Sequence, residues 1–297
     1  FEKSKYQAYI HHITYDYLAL KTKKKRDARQ VEILNLINNQ PVDLIVIFDD
    51  EASDALMPHL QKSDIPVVLT GINNDLEKTV WYAQAKLNNK VDGVLERYPF
   101  EQSLKLIKKI VPNLTKISVL TSGNSSSKII AGQFKAKFTK YNDQYSGIKL
   151  NKITISSSWA NWKQTIKSSS SRDHALWILV PWNVNDSKGK EVSLQKIGDF
   201  YRANSKSPAL GIVDINSQMG FLASFYVSPD DLASQAAHKG LSLLKAKENK
   251  ASHRFEVVRT ARLNINEERA RQLGLKIPMK YLELGNVNNI IPMKYER

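Results

Sequence analysis

Polar side chains follow five short apolar runs of this sequence, and these clusters hold the residues best suited to chemistry. The clusters are Asp49–Ser53, Thr70–Asn74, Ser122–Ser126, Pro181–Asn183 and Asp214–Asn216. Their carboxylates, hydroxyls and amides can bind the ammonium, hydroxyl and carboxylate groups of a small polar molecule. In an open parallel sheet, ligands bind outside the carboxyl ends of the strands, which is where these clusters are predicted to lie. The pattern therefore indicates a small-molecule binding site.

Catalytic and metal-binding patterns are absent from the sequence. It contains no GxSxG, no P-loop, no GxGxxG after a predicted strand and no HExxH. Its six histidines are dispersed and it has no cysteine, which excludes a thiol nucleophile and a thiolate zinc site. The dense acidic group Asp49–Glu51 has an alternative explanation, because negative charge is favourable at a helix N-terminus. We therefore predict a protein that is not an enzyme and has no metal or cofactor.

The charge is strongly basic, with 44 Lys and Arg against 29 Asp and Glu and a formal net charge of +15. A nucleic-acid groove would concentrate the basic residues on one face, with aromatic side chains between them. Here they are scattered along predicted helices, and only Lys21–Arg26 (KTKKKR) forms a block. We predict a solvated basic surface and no nucleic-acid partner, with binding to nucleic acid or to an anionic surface as the alternative.

The element pattern predicts an α/β protein with mainly parallel sheets, because short β-rich apolar runs alternate with longer amphipathic stretches. At 297 residues the chain is long enough for two domains. No apolar run reaches the 18 residues that suggest a transmembrane helix. The predicted strands include Tyr15–Leu20, Asp43–Phe48, Ile65–Leu69, Ile117–Leu120, Ala175–Val180, Ala209–Val213, Phe221–Val227 and Phe255–Leu263.

Five stretches carry a family resemblance: Pro41–Ser53, Ile65–Asn73, Leu106–Leu120, Gly220–Ala237 and Ala261–Pro278. They resemble the type I periplasmic binding proteins, and within them the ABC-transporter substrate-binding family that has tryptophan- and phenylalanine-binding members. The last stretch, ARLNINEERARQLGLKIP, is the most specific. The resemblance implies two Rossmann-like lobes with central, mainly parallel sheets, joined by three hinge crossovers and closing over a ligand.

The predicted ligand-binding residues are Asp49, Asp50, Ser53, Thr70, Asn73, Glu96, Ser122, Asn124, Ser125, Ser126, Trp182, Asn183 and Asp214. By the resemblance, the turn Ser122–Ser127 opens a second-lobe helix, and its hydroxyls and N–H groups could hold a carboxylate. An ordinary capping turn is the alternative. The pair Asp49-Asp50 departs from members with amino-acid ligands, which have small apolar residues there, and suits an ammonium or hydroxyls. Trp182 is equally compatible with a core position and with stacking on a ligand.

The resemblance places one lobe at residues 1–112 and 219–252 and the other at 113–218 and 253–297. It implies a periplasmic or extracellular solute-binding protein that captures a small polar molecule, such as an amino acid or a related amine or carboxylate, in an interlobe cleft. Its partner would be the permease of an ABC importer, and it would meet a membrane only through that partner or a removed anchor. The alternative is the extracellular sensor domain of a transmembrane histidine kinase or diguanylate cyclase, in which a fused signalling module replaces the permease.

Overall fold

A computed structural model describes residues 9–17, 19–216, 219–245, 255–287 and 290–292. Apolar runs form strands, and the amphipathic stretches between them form helices. The helices are α1 (Lys23–Asn39), α2 (Asp50–Leu60), α3 (Tyr82–Ala85), α4 (Phe100–Ile110), α5 (Ser125–Lys140), α6 (Trp159–Ser168), α7 (Leu194–Asn204), α8 (Pro229–Lys245), α9 (Glu267–Leu273) and α10 (Met279–Val287), with 3₁₀ turns at Leu76–Lys78 and Asp214–Asn216. The strands are β1 (Ile45–Phe48), β2 (Val67–Ile72), β3 (Val91–Leu95), β4 (Lys116–Thr121), β5 (Gln144–Tyr145), β6 (Ile148–Ile155), β7 (His174–Ile178), β8 (Ala209–Gly211), β9 (Ala223–Tyr226), β10 (Glu256–Val257), β11 (Thr260–Ile265) and β12 (Ile290–Pro292).

The chain divides into two compact units and crosses between them three times, as the resemblance implied. The first unit contains Phe1–Glu96 and Pro229–Val258, and the second contains Arg97–Ser228 and Arg259–Arg297. Each unit has its own sheet, and the buried apolar residues form one core in the first unit and two in the second. This is the α/β architecture predicted from the sequence.

The first unit is built on a four-stranded parallel sheet with the order β1-β2-β3-β10. Its central strand β2 is almost entirely buried, since α8 packs against β2 and β3 while α2 packs against β1 and β2. The core contains Ile47 and Leu69 from the sheet, Met57 from α2, and Trp81 just before α3. The positions of these elements place the ends of β1, β2 and β3 side by side.

The second unit is built on an eight-stranded sheet with the order β12-β11-β9-β8-β7-β4-β6-β5. The five strands from β9 to β6 are parallel, and the others are antiparallel. Strand residues alternate between two cores: Val119 and Trp177 pack with α4 and α5, whereas Leu120 and Ile178 pack with α6 and α7. Helices therefore cover both faces, which explains why these strands are apolar without interruption.

The unit boundaries differ from those expected from the sequence, which were 112, 219 and 252. Helix α4 was assigned to the first lobe, but its apolar side chains, among them Phe100 and Ile107, lie in a core of the second unit. Strand β9 likewise joins the second unit, because Phe225 packs into that same core and β9 pairs with β8 and β11. The first two crossings therefore follow Glu96 and Ser228.

Two predicted strands are wrong. The run Phe255–Leu263 was read as one strand, but the chain crosses between the units after Val258, so the run splits into β10 in the first unit and β11 in the second. In the first unit, the Phe255 ring packs directly on Gly93. A Cβ added at Gly93 would lie only 2.6 Å from this ring. The described part of Tyr15–Leu20 forms turns and irregular backbone.

A buried histidine connects three strands of the second unit. His174, at the start of β7, has its Nε2 2.9 Å from the Ser118 hydroxyl of β4. Asn151 of β6 donates to the same hydroxyl at 3.1 Å. Burial lowers the pKa of His174, Lys116 lowers it further, and Asp173 opposes this shift. The fold therefore favours the neutral imidazole.

We expect the contribution of His174 to the free energy of unfolding to decrease as the pH falls below the unfolded-state pKa of about 6.5, because the unfolded chain then takes up a proton that His174 in the folded protein resists. The loss is at most about 1.4 kcal/mol per pH unit for one group. His174→Gln should remove this contribution, which changes the slope of stability against pH in urea unfolding measured between about pH 5 and about pH 7.5. His59→Gln, at an exposed position on α2, is the control and should behave as the wild type. An unchanged slope in His174→Gln would contradict the expectation.

Candidate ligand-binding site

In the first unit, the carboxylate of Asp50 joins the turn after β1 to the turn after β2. It accepts the N–H of Asn73 at 3.1 Å from each carboxylate oxygen and the N–H of Asn74 at 2.9 Å. Asp50 is only 2% exposed. Gly71 lies in a β-bulge of β2 at a φ of 70°, which glycine adopts without steric cost. Asp50 thus supports the two turns from inside.

Asp49 is the exposed member of the acidic pair. It caps α2 by accepting the N–H of Asp50 at 2.7 Å, and it has a φ of 75°, a strained conformation for a residue with a side chain. Its own N–H donates to the Thr70 carbonyl at 2.9 Å, and its carbonyl accepts the Ser53 hydroxyl at 2.8 Å. These bonds hold the strained residue on a fixed backbone, with the residue as a whole exposed and its carboxylate partly buried.

Asn73 extends this cluster to the end of β3. Its side-chain amide donates to the Glu96 carboxylate at 3.1 Å and to the Gly71 carbonyl at 3.3 Å. Glu96 is half-buried, while Asn73 is 4% exposed. Residues from three successive strand ends are therefore in one hydrogen-bonded group, as predicted from the rule for parallel sheets.

The predicted residues of the first unit fall into two groups, those that reach solvent and those that are buried beneath them. Asp49 and Glu96 reach solvent, whereas Asp50, Ser53 and Thr70 are at most 2% exposed. The Thr70 hydroxyl is buried without a hydrogen-bond partner in the described part of the chain. The structure thus places all six predicted residues together, with the buried ones behind the two that a ligand can reach.

Burial controls the acidity of this cluster. It raises the pKa of Asp50 to about 7, an effect that the N–H groups of Asn74 and Asn73 oppose and the negative charges of Asp49 and Glu51 reinforce. Burial also raises the pKa of Asp49, with Glu51 adding to the shift. An ammonium group placed here would relieve the repulsion between these carboxylates.

In the second unit, the turn after β4 opens helix α5. Asn124 caps the helix by accepting the Ser127 N–H at 2.8 Å, and the hydroxyls of Ser122 and Ser127 are 2.9 Å apart. Ser122 is fully buried, whereas Ser125 and Ser126 are half-buried in the first turn of the helix. The first-turn N–H groups of a 16-residue helix create a partial positive charge at this point.

The other predicted residues of this unit lie at the ends of the next two strands. Trp182 follows β7 and is half-buried, with part of its ring packed on the core. Asn183 has a φ of 59° and donates its N–H to the Glu191 carboxylate at 2.8 Å. Asp214 follows β8 and is exposed, and its carboxylate accepts the Ile215 N–H at 2.8 Å. Because β8, β7 and β4 are adjacent and parallel, all these turns lie at one edge of the sheet.

One contributor was missed in the sequence. Ser157, in the turn after β6, accepts the Gly123 N–H at 3.1 Å with its hydroxyl and so fixes the turn that opens α5. The serine-rich segment Ser156–Ser158 is not among the polar clusters singled out in the sequence. The same rule would have found it, because β6 is the parallel neighbour of β4 and their carboxyl ends share an edge.

Within the described ranges, no group of three or more His, Asp or Glu side chains could hold a metal ion. A search of the same residues finds no helix that is both long and apolar enough to cross a bilayer. The strand-end turns of the two units present carboxylates, hydroxyls, amides and helix N–H groups, which can form hydrogen bonds and ion pairs.

A sequence model of the ABC transporter substrate binding protein family matches residues 7–286. The chain belongs to this family. The comparison with curated proteins gave no match. Among solved structures, the ABC domain of Streptococcus pneumoniae in complex with L-Trp is 21% identical, with a TM-score of 0.60, over 88% of this chain and 86% of that one.

Two further structures have the same fold. A conserved domain protein of Vibrio cholerae is 22% identical, with a TM-score of 0.62, over 90% of this chain and 85% of that one. The ligand-free, open structure of a substrate-binding protein with adhesive properties from Clostridium difficile is 17% identical, with a TM-score of 0.58, over 89% and 80% of the two chains. These likenesses confirm the predicted type I periplasmic binding protein fold.

Family membership establishes the general activity of this substrate-binding protein. Members of the family are located outside the cytoplasm and bind small-molecule ligands, which they deliver to ABC transporter permeases. They are solute-binding proteins and not enzymes. The family is described as a transporter component, and its description names no signalling module. The role of each strand-end residue in ligand binding remains a prediction.

We expect the backbone amides of Asn73 and Asn74 to report the titration of Asp50, with a midpoint at a pH of about 7. Protonation weakens the hydrogen bonds that these N–H groups donate to the carboxylate. Two-dimensional NMR of labelled protein should show both amide shifts changing with pH in the wild type and losing this change in Asp50→Asn. Asp75→Asn, an exposed carboxylate one residue beyond Asn74, should retain it. A midpoint near the ordinary value of 3.8 would show that Asp50 is not held as described.

Proposed function

We propose that this substrate-binding protein captures a small polar molecule with an amino group, foremost an amino acid, on the outer side of the cytoplasmic membrane and delivers it to an ABC importer. Family membership supports the transport role. The chemistry of the strand-end turns supports the ligand class, because one unit presents carboxylates and the other presents hydroxyls and helix N–H groups.

The acidic cluster of the first unit is the observation that carries the proposal. Asp49 is exposed on a strained, hydrogen-bonded backbone, and Glu96 is half-buried in the same network, to which Asn73 and Asp50 connect it. Carboxylates bind ammonium groups through charge-assisted hydrogen bonds, each contributing about 1.5–3 kcal/mol. In the proposal, Asp49 and Glu96 hold the ammonium, while Asp50 keeps their turns in place.

The opening turn of α5 is the proposed carboxylate contact. A carboxylate at the N-terminus of a helix is stabilised by the first-turn N–H groups and by the helix dipole. Ser125 and Ser126 line this turn, and Asn124 and Ser157 fix its shape. The proposal therefore assigns ammonium binding to the first unit and carboxylate binding to the second.

The proposal predicts one ligand class in a thermal-shift screen of L-amino acids including L-Trp, polyamines, sugars and nucleosides. A ligand at 100 times its Kd should raise the free energy of unfolding by about 2.7 kcal/mol. With the best ligand, Asp49→Asn should raise the Kd by about tenfold in calorimetry, because it removes one charge-assisted bond of about 1.5 kcal/mol or more but keeps a cap acceptor. Ser126→Ala should weaken the same ligand by a smaller factor.

Matched controls are available in each unit. Asp75→Asn changes an exposed charge just beyond the turn after β2, and Ser168→Ala changes an exposed hydroxyl at the end of α6, at the amino ends of the strands. Both should bind as the wild type. Wild-type affinity in both Asp49→Asn and Ser126→Ala would place the ligand elsewhere, and stabilisation by sugars alone would overturn the amine-bearing class.

A further inference from the structure

A basic crevice lies in the second unit, at the opposite end of its sheet from the proposed ligand-binding turns. Its volume is about 300 Å³, and its lining includes Ser170, Arg202, Ser205, Lys206, Arg269 and Gln272. Ser170 precedes β7, and Ser205 and Lys206 precede β8, so the crevice is at the amino ends of these strands. The five residues of β7 alone span roughly 17 Å. The crevice is therefore separate from the turns after β4, β7 and β8.

Arg269 is the unusual residue of this crevice. It lies on α9 and is 5% exposed, with its guanidinium 4.9 Å from the centre of the Tyr201 ring. It donates to the Ser205 carbonyl at 2.8 Å and to the Gln272 side-chain oxygen at 3.3 Å. Its Nε–H is buried with no acceptor in the described part of the chain.

The positive charge of Arg269 is not neutralised by a carboxylate within the described ranges, where its guanidinium interacts with a carbonyl, a side-chain amide and the Tyr201 hydroxyl. These acceptors orient the guanidinium, and the carbonyl end of α7 supplies only a partial negative charge. A buried charge without a counter-ion costs free energy of folding, and charged groups are buried as a rule only when they are paired. The site therefore has the electrostatics of one that gains an anion.

The rest of the lining adds to the positive charge. Lys206 is exposed and has no recorded ion pair among the described residues, and Arg202 also faces the crevice while pairing with Asp199 outside it. Ser170 accepts the Lys206 N–H at 2.9 Å, so its hydroxyl hydrogen is available to a ligand oxygen. The lining holds three cationic side chains and no Asp or Glu.

We propose that this crevice binds a phosphate group, either as free phosphate or a soluble phosphomonoester, or as the headgroup of an anionic lipid. Guanidinium groups pair with phosphate oxygens through two parallel hydrogen bonds, and a lysine adds a point charge. The site is independent of the proposed amine-binding turns and gives this substrate-binding protein a second, anionic ligand. Anion binding in this crevice thus accounts for part of the large positive charge of the protein.

Calorimetry with inorganic phosphate, at constant ionic strength, tests the site directly. We expect one saturable site per chain, weakened at least tenfold by the charge reversal Lys206→Glu and by Arg269→Gln. Lys196→Glu is the matched control, because it makes the same charge change at an exposed position on α7, roughly 12 Å along the helix from its end. It should bind phosphate within twofold of the wild type. Lys206→Glu keeps the test valid if the buried Arg269 is required for folding.

Vesicle flotation separates the two sources of phosphate. The wild type, Lys206→Glu and Lys196→Glu would be compared on phosphatidylcholine vesicles with and without phosphatidic acid. Binding to free phosphate alone assigns a soluble ligand, and binding only to phosphatidic acid vesicles, lost in Lys206→Glu, assigns the lipid headgroup. Absence of both, or equal weakening by Lys206→Glu and Lys196→Glu, would overturn the proposal. Asp49→Asn should bind phosphate normally, so a failure of the amine site and a failure of this site are distinguishable.

Discussion

The hydrogen bonds from the N–H groups of Asn73 and Asn74 to the Asp50 carboxylate are the interaction on which the candidate site of the first unit depends. Removing a carboxylate from water is costly, and these donors offset only part of that cost, because the pKa remains raised to about 7. The buried carboxylate lies where it joins the turn after β1 to the turn after β2. Asp49, the preceding residue in the chain, is thereby held in a strained conformation.

Most of the strands, and the edge at which polar side chains gather, could be predicted from the sequence. Buried parallel strands read as continuous apolar runs, and a polar cluster directly after such a run can only lie at its carboxyl end. The bounds of helix α9 can be predicted in the same way, since Asn266 caps it and Gly274 ends it at a φ of 68°. These features depend on a few neighbouring residues, which is why local sequence was sufficient.

Features set by distant contacts could not be predicted. Asp49 and Asp50 are adjacent and chemically identical, and only the position of the turn after β2 determines which carboxylate is buried. Helix α4 has an apolar face that could pack on either unit. Its Phe100 ring stacks on Trp177 and packs edge-to-face against Phe134, and these contacts place the helix in the second unit. The division of Phe255–Leu263 between two sheets likewise follows from its pairing partners, β3 and β9.

A non-contiguous unit also needs a contact that specifies how its parts assemble. Helix α8 and strand β10 enter the first unit long after its other elements, and β10 pairs with β3 through only two residues. Lys239 of α8 bridges both: its ammonium is 2.8 Å from the Asp92 carboxylate of β3 and 3.6 Å from that of Glu256 in β10. A buried ion pair adds little net stability over apolar packing, but a misplaced helix would leave two buried charges unpaired. The pair therefore acts mainly through specificity, by making the correct docking of α8 the only arrangement in which both charges are satisfied.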